Sequence, residues 1–389
     1  MGKPVRTLFV THAAEFGGAE LSLLEILERL DRDRIEPVLA SFSDGPLVEA
    51  VKESGIDVRV INGADSFVKA KRAEMAEVLS NGSAIFKAMA AIPAALELAK
   101  FVKERRVDVV YTNSSKAHVL GGVAGRMASA RVVWHFRDIF PQAILKKFFA
   151  TSANMLAETV ICNSRATSAQ FESHKDCRVV YNGLPVEKVK AIRGMVDVRN
   201  ELGLNEDARI IGMAGRLQRW KGVHVFLDAA GIIAKGSPKA RFIVAGSPIY
   251  GDESYLSEMM AAARDLGIGE KVVFTGFRQD IYDIVNAMDV YVHPSETPEP
   301  FGRGIVEAMM LGKAVVVSDA GGAAEIVLDG NTGFLVTAGD ARMLAKRAIE
   351  LNDNPEKSRS MGEAGKKRAH ELFNAIRTVE AVSRAIENC

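Results

Sequence analysis

The chain has 389 residues, 48% hydrophobic and 25% charged, and its 50 basic and 49 acidic side chains leave a formal net charge of +1. That length exceeds one ordinary core and predicts two domains. The near-neutral balance excludes a chain whose whole surface is built for nucleic acid. The three cysteines, Cys162, Cys177 and Cys389, fit no zinc spacing and read as free thiols of a reducing compartment. The first residues lack the apolar core of a signal peptide, and no stretch reaches the roughly 18 apolar residues that span a bilayer. The expected location is therefore the cytoplasm, with any membrane contact peripheral, at the inner face of the cell membrane.

Short apolar runs alternate with helical patterns along the chain. The first half carries runs at Thr7–Thr11, Pro37–Phe42, Val58–Ile61, Val107–Thr112, Arg131–Phe136, Val160–Asn163 and Arg178–Tyr181. The second half adds Arg209–Ala214, Arg241–Ala245, Val272–Thr275, Val290–His293, Ala314–Ser318 and Gly333–Val336. Consecutive rather than alternating apolar positions predict parallel strands buried on both faces, with helices as crossovers. The fold class is α/β, as two doubly wound Rossmann-like domains. The change-over falls near Gly183–Arg199, where Asn182-Gly183-Leu184-Pro185 supplies turn residues. Lys69–Arg106 breaks the rhythm as an Ala-, Met- and Lys-rich stretch with interruptions at Asn81-Gly82-Ser83 and Pro93. It reads as core-facing helices or, with Lys69, Lys71, Arg72 and Lys87, as a membrane-facing surface. Ile144–Phe149 invites the same two readings.

The densest chemistry lies between residues 293 and 307. His293-Pro294-Ser295 ends a strand, Glu299-Pro300-Phe301-Gly302 forms a rigid loop, and a helix is expected from Arg303 to Met310, stopping at Gly312. Ligands of open α/β sheets bind at the carboxyl ends of strands, where the first amides of a helix favour phosphates and hydroxyls. Glu299 and Glu307, with seven residues between them, stand at two depths and suit two sets of hydroxyls.

Glu-Pro-Phe-Gly followed by this glutamate resembles the signature of the retaining GT-B glycosyltransferases of family 4. Other segments occur in that family's order: Gly17-Gly18-Ala19-Glu20, Asn182-Gly183, Gly215-Arg216-Leu217 with Lys221-Gly222, Gly321-Gly322 with Glu325, and Asp329-Gly330 with Thr332-Gly333. The resemblance covers nearly the whole chain. It implies two domains facing a central cleft: 1–185 for the acceptor, 186–365 for the nucleotide-sugar donor, and a terminal helix within 366–389 packing back on the first. It implies that Arg216 and Lys221 bind the donor diphosphate, Glu299 the sugar hydroxyls and Glu307 the ribose. Gly17 and Gly18 would approach the diphosphate and acceptor, and His135 would face the reacting sugar, commonly at its 6-hydroxyl. Asp138 would orient His135 or cap the next helix. The base would lie beside Gly276, Phe277 and Arg278, and the backbone of Phe301, Gly302 and Arg303 would complete the donor site. Arg303 departs from the family's usual apolar residue, and Ala324 stands where a proline often precedes the glutamate.

The implied reaction is retaining transfer of a hexose-type sugar to a glycan or lipid-linked acceptor of the cell envelope, in polysaccharide or lipopolysaccharide synthesis. The co-substrate would be a UDP-sugar in preference to a GDP-sugar, with no other cofactor, no metal and no nucleic-acid partner. Two alternatives share these residues: a sugar-nucleotide 2-epimerase of the same fold, and a non-catalytic nucleotide-sugar-binding protein. A dehydrogenase would need a Gly-x-Gly-x-x-Gly turn, which Ala245-Gly246-Ser247-Pro248 does not supply.

Overall fold

The computed structural model describes residues 3–62, 74, 75, 77, 84–248 and 253–389. The chain divides into two compact units, Met1–Gly183 with Ala375–Cys389, and Leu184–Asn374. The first is built on a seven-stranded sheet of β1 (Val5–Thr11), β2 (Ile35–Ser41), β3 (Asp57–Val60), β4 (Val109–Thr112), β5 (Arg131–Phe136), β6 (Thr159–Cys162) and β7 (Cys177–Val179), ordered β3-β2-β1-β4-β5-β6-β7. The second holds six strands, β8 (Arg209–Ala214), β9 (Ala240–Ala245), β10 (Val272–Gly276), β11 (Val290–His293), β12 (Ala314–Ser318) and β13 (Phe334–Val336), ordered β10-β9-β8-β11-β12-β13. Every pairing in both sheets is parallel. Each order reverses once, at β1/β4 and at β8/β11, and such switch points open a crevice above the strand ends.

The apolar runs become strands because both faces of each sheet are covered by helices. Along β1, Leu8 and Val10 belong to one buried cluster while Phe9 belongs to the cluster on the other face. Helix Ala84–Glu104 covers the first of these faces through Ala91, Ala94, Ala95, Leu98 and Val102, at helical spacing. The helix runs through Pro93, where the sequence suggested an interruption. Burial of flanking Ala94 and Ala95 offsets the one backbone bond a proline forfeits. The described part of Lys69–Arg106 thus has a core-facing side, with Ile92 and Leu96 half-exposed on the other. Lys69, Lys71 and Arg72 lie outside the described residues. In Ile144–Phe149, Leu145 and Phe149 are buried in the core and Ile144 is exposed. Among the described residues no helix is long and apolar enough to cross a membrane.

The expected terminal segment from 366 resolves into two helices, Pro355–Leu372 and Ala375–Glu387. A boundary at 365/366 would cut the first of them, which stays in the second unit because Gly362 and Gly365 pack closely on Gly312, Thr332 and Met309. Only Ala375–Glu387 joins the first unit. There Val379, Val382, Ala385 and Ile386 share a core with Leu23, Ile26 and Leu27, and Arg34 bonds Glu380 at 3.0 Å and Glu387 at 2.7 Å.

One buried charge gives the second unit a distinct pH response. Lys313, before β12, is 8% exposed and donates from Nζ to the Asn286 carbonyl at 2.6 Å. Burial pushes its pKa down to about 8, helped by Arg199 and opposed by Asp289. Between that value and the ordinary lysine range the unfolded chain binds more protons than the folded one, so stability rises with pH there. Thermal melts at pH 7 and 9.5 are expected to show wild type gaining stability relative to Lys313→Met as pH rises; an unchanged difference would remove the effect.

Candidate donor-binding site

In the second unit the loops after β8, β11 and β12 meet at the β8/β11 switch point. After β8 the chain passes Gly215 and Arg216 and makes a single 3-10 turn, Arg219–Lys221, before helix Val223–Gly236. The Glu296 amide donates to the Trp220 carbonyl at 2.9 Å, tying the β11 loop to this turn. After β12, Gly321 pairs with Glu299 as an isolated bridge, and the Gly322 amide donates to the Glu299 carbonyl at 2.7 Å. A Cβ at Gly321 would stand 2.4 Å from the Glu299 oxygen, and one at Gly322 would stand 2.4 Å from the Pro300 oxygen. Any side chain here must push the glutamate loop away. Gly322→Ala is expected to lower kcat/KM roughly 10–100-fold, with a smaller loss on thermal melting; wild-type kinetics would show that the loop position is immaterial.

Glu299 is the centre of this arrangement. It is 5% exposed, and its Oε1 receives Lys221 Nζ, Ser295 Oγ at 2.5 Å and His293 Nε2 at 2.7 Å. No described residue bonds its other oxygen, Oε2. Burial alone would raise the carboxyl's pKa, but the charges of His293 and Lys221 outweigh it and hold the group well below the usual carboxylate range. Lys221 Nζ also lies 4.4 Å from the Trp220 ring centroid. The sequence reading gave Lys221 to a diphosphate and Glu299 to a sugar; the structure joins the two side chains directly. His293 and Ser295, quoted there only as a strand end, are partners of the glutamate. Their signal was two polar residues closing an apolar strand just before a buried carboxylate.

Around this core the other residues divide. Arg216 is exposed and makes no hydrogen bond or ion pair among the described residues. Gly302 caps helix Arg303–Met310 with φ +115°, and Phe301 is buried with its ring edge-on to Phe373 at 5.7 Å. The loop backbone is thereby anchored where the first helical amides emerge. Arg303 Nε bonds Glu307 Oε1 at 3.1 Å, so the unusual arginine neutralises the second glutamate. At the end of β10, Phe277 is 74% exposed, whereas Arg278 is held by Asp280 at 2.7 Å and Glu201 at 2.8 Å. Phe277 is open to a planar ligand, and Arg278 props the turn.

Gly17, Gly18 and His135 belong to the first unit. Gly17 precedes helix Gly18–Arg29, and a Cβ at Gly18 would meet open space. Asn113 Nδ2 donates to the Ala19 carbonyl at 3.0 Å, fixing the first turn of this helix to the end of β4. His135 is fully buried on β5; its Nδ1 faces Tyr111 Oη and Arg137, whose Nη2 lies at 3.1 Å. Asp138 does not contact it: that carboxylate receives Ser115 Oγ, and Gln170 Nε2 donates to its carbonyl at 2.8 Å. In Asn163-Ser164-Arg165, Ser164 Oγ accepts from the Thr167 amide at 3.0 Å and caps a short helix. Thr332 and Asp329 hold the turn into β13, Oγ1 accepting from the Leu328 amide and Oδ1 from the Leu335 amide.

Comparison with known proteins agrees with this architecture. The profile of Glycosyltransferase Family 4 matches residues 16–188 and that of Glycosyl transferases group 1 matches residues 196–368. The crystal structure of HepE from Anabaena in complex with UDP-glucose superposes with a TM-score of 0.82 at 29% identity, covering 99% of this chain and 100% of that one. The lipopolysaccharide core biosynthesis mannosyltransferase LpsB of Rhizobium meliloti is 26% identical over 66% of this chain and 79% of its own length. An Escherichia coli galactosyltransferase, UDP-Gal:alpha-D-GlcNAc-diphosphoundecaprenol alpha-1,3-galactosyltransferase, is 24% identical over 87% of this chain and 85% of its own. The chain belongs to the GT-B glycosyltransferases of family 4. It is a glycosyltransferase built of two parallel-sheet Rossmann-like units.

Proposed function

We propose that the protein transfers a hexose-type sugar from a UDP-sugar, with retention of configuration, to a glycan or lipid-linked acceptor in cell-envelope polysaccharide or lipopolysaccharide synthesis. The observation that carries this is the Lys221–Glu299 pair at the β8/β11 switch point, in a fold shared along its whole length with a UDP-glucose complex. The names of the mannosyl- and galactosyltransferase relatives support an envelope acceptor.

In this reading the domains keep their divided labour, acceptor on the first and donor on the second. Arg216 and Lys221 bind the diphosphate, which gains negative charge as the sugar departs; a unit charge pair at about 4 Å is worth roughly 4 kcal/mol at an effective dielectric of 20, before desolvation. Glu299 Oε2 accepts a sugar hydroxyl and Glu307 the ribose hydroxyls, while Phe277 lies beside the base. Retention by double displacement would need a free carboxylate nucleophile. Glu299, with three donors on one oxygen, is a poor one, which supports front-face attack with the leaving phosphate helping to deprotonate the acceptor. Because two side chains supply the positive charge, transfer is expected to persist in EDTA. The protein would act in the cytoplasm, at the membrane's inner face when the acceptor is lipid-linked.

The test mixes purified protein with a panel of nucleotide sugars and lysate glycolipids, reading nucleoside diphosphate release and product mass. UDP release that requires an acceptor supports the proposal. A donor isomerised without acceptor would indicate a 2-epimerase, and binding without turnover a non-catalytic protein.

A further inference from the structure

The first unit holds a buried polar group that the donor site does not use. Arg137, just past β5, is 8% exposed, and among the described residues no carboxylate makes hydrogen-bond or ion-pair contact with it. Its Nε donates to Asn113 Oδ1 at 3.1 Å, Nη1 to Asn182 Oδ1, and Nη2 points at His135 Nδ1. Tyr111 Oη approaches the same ring nitrogen. The opposite nitrogen, His135 Nε2, is buried with no partner among the described residues.

A guanidinium can only donate. With Arg137 aimed at Nδ1, a proton on that nitrogen would set two donors head to head, so Nδ1 must accept. The ring's single proton then sits on Nε2. We propose that Arg137 is a positioning residue that, with Tyr111, fixes His135 as the neutral Nε2–H tautomer. His135 therefore offers its substrate a hydrogen-bond donor and is barred from acting as a general base through Nε2. This rests on the glycosyltransferase reading for its substrate, but not for the tautomer itself.

The charged groups around the ring agree. Burial, then the Arg137 charge, then His118 from helix Ser115–Met127 all hold the His135 pKa well below its ordinary value. Burial likewise lowers Arg137, while Tyr111, Glu20 and Glu25, the last two from helix Gly18–Arg29, favour its charge. His12, in turn, lowers the pKa of His118. A protonated His135 would face a guanidinium at 3.1 Å with no anion among the described residues in contact. Asn113 couples the arrangement to the first turn of helix Gly18–Arg29, since it accepts from Arg137 and donates to the Ala19 carbonyl.

The experiment is nitrogen-15 NMR of histidine-labelled full-length protein, with the His135 ring assigned by its disappearance in His135→Asn. Wild type is expected to show a neutral Nε2–H ring from about pH 5.5 to about pH 8.5, and kcat/KM with no His135 limb over that range. In Arg137→Gln the ring should titrate or change tautomer, with kcat/KM falling at least about tenfold at the acid end. Arg137→Lys should restore the flat profile. If Arg137→Gln does not fold, Tyr111→Phe carries the same ring measurement. An Nδ1–H or charged ring in wild type at neutral pH overturns the proposal, as does wild-type ring and rate behaviour in both Arg137→Gln and Tyr111→Phe. Absence of UDP release from every donor would instead overturn the functional reading, because the ring spectrum needs no turnover.

Discussion

Glu299→Gln is expected to lower transfer by at least about 100-fold while UDP affinity changes less than about tenfold. The carboxylate's three donors all sit on Oε1, leaving Oε2 for the sugar hydroxyl that the proposed function assigns to it. Glutamine keeps the shape but presents one carbonyl oxygen and an amide donor. Either Oε1's partners or the sugar must then face an N–H. On the proposed reading Arg216 is untouched and Lys221, though it loses its counter-charge, stays available to the diphosphate, so UDP titration and donor turnover should separate. Equal losses in both would mean that Glu299 supports the whole loop and does not grip the sugar.

Lys221→Met is expected to reduce turnover by roughly 100–1,000-fold and to reshape its pH dependence. On the proposed reading, losing Lys221 removes a charge that stabilises the departing diphosphate. It also removes one of the two basic side chains that hold Glu299 ionised against burial. The sign follows from linkage: a carboxyl depressed in the folded state contributes stability above its unfolded pKa, and that stability is lost as pH falls toward the folded value. In wild type that loss lies on the far acid side. In the variant, with burial now opposed only by His293 and the Ser295 hydrogen bond, the acid limb of activity and stability should move toward neutral pH. Rate profiles and melts from about pH 4 to about pH 8 check this. Arg216→Ala, whose side chain props nothing, should lower turnover without moving the limb. Near-normal turnover in either variant would dismiss the diphosphate role of that residue.

The central strands were legible because β4, β6, β11 and β12 are apolar runs buried along their whole length, and burial is what a consecutive apolar pattern encodes; the edge strands β3 and β7 are half-buried or exposed and carry it less clearly. Helix Arg303–Met310 was equally plain, bracketed by Gly302 and Gly312. The break at Phe373-Asn374 was not, since the helical pattern continues on both sides of it and only tertiary packing assigns the halves to different units. The glutamates were visible through their motif, but their partners were not. Lys221 is 78 positions from Glu299, and only the adjacency of β8 and β11 brings them together. The same holds for Tyr111 and Arg137 around His135, which come from neighbouring strands β4 and β5. Gly321-Gly322 could be read as a turn. That it carries the Glu299 backbone depends on β12 lying beside β11.

The last helix has a consequence for how the protein is made. Ala375–Glu387 supplies core residues to the unit that begins at the N-terminus, against Leu23, Ile26 and Leu27. A ribosome releases the second unit's entire sequence before it reaches these residues. The first unit therefore waits, with one apolar side uncovered, until residues 375–387 have been made, and the second is the first to be covalently complete. Cutting the gene at the obvious midpoint would yield a front half permanently in that state.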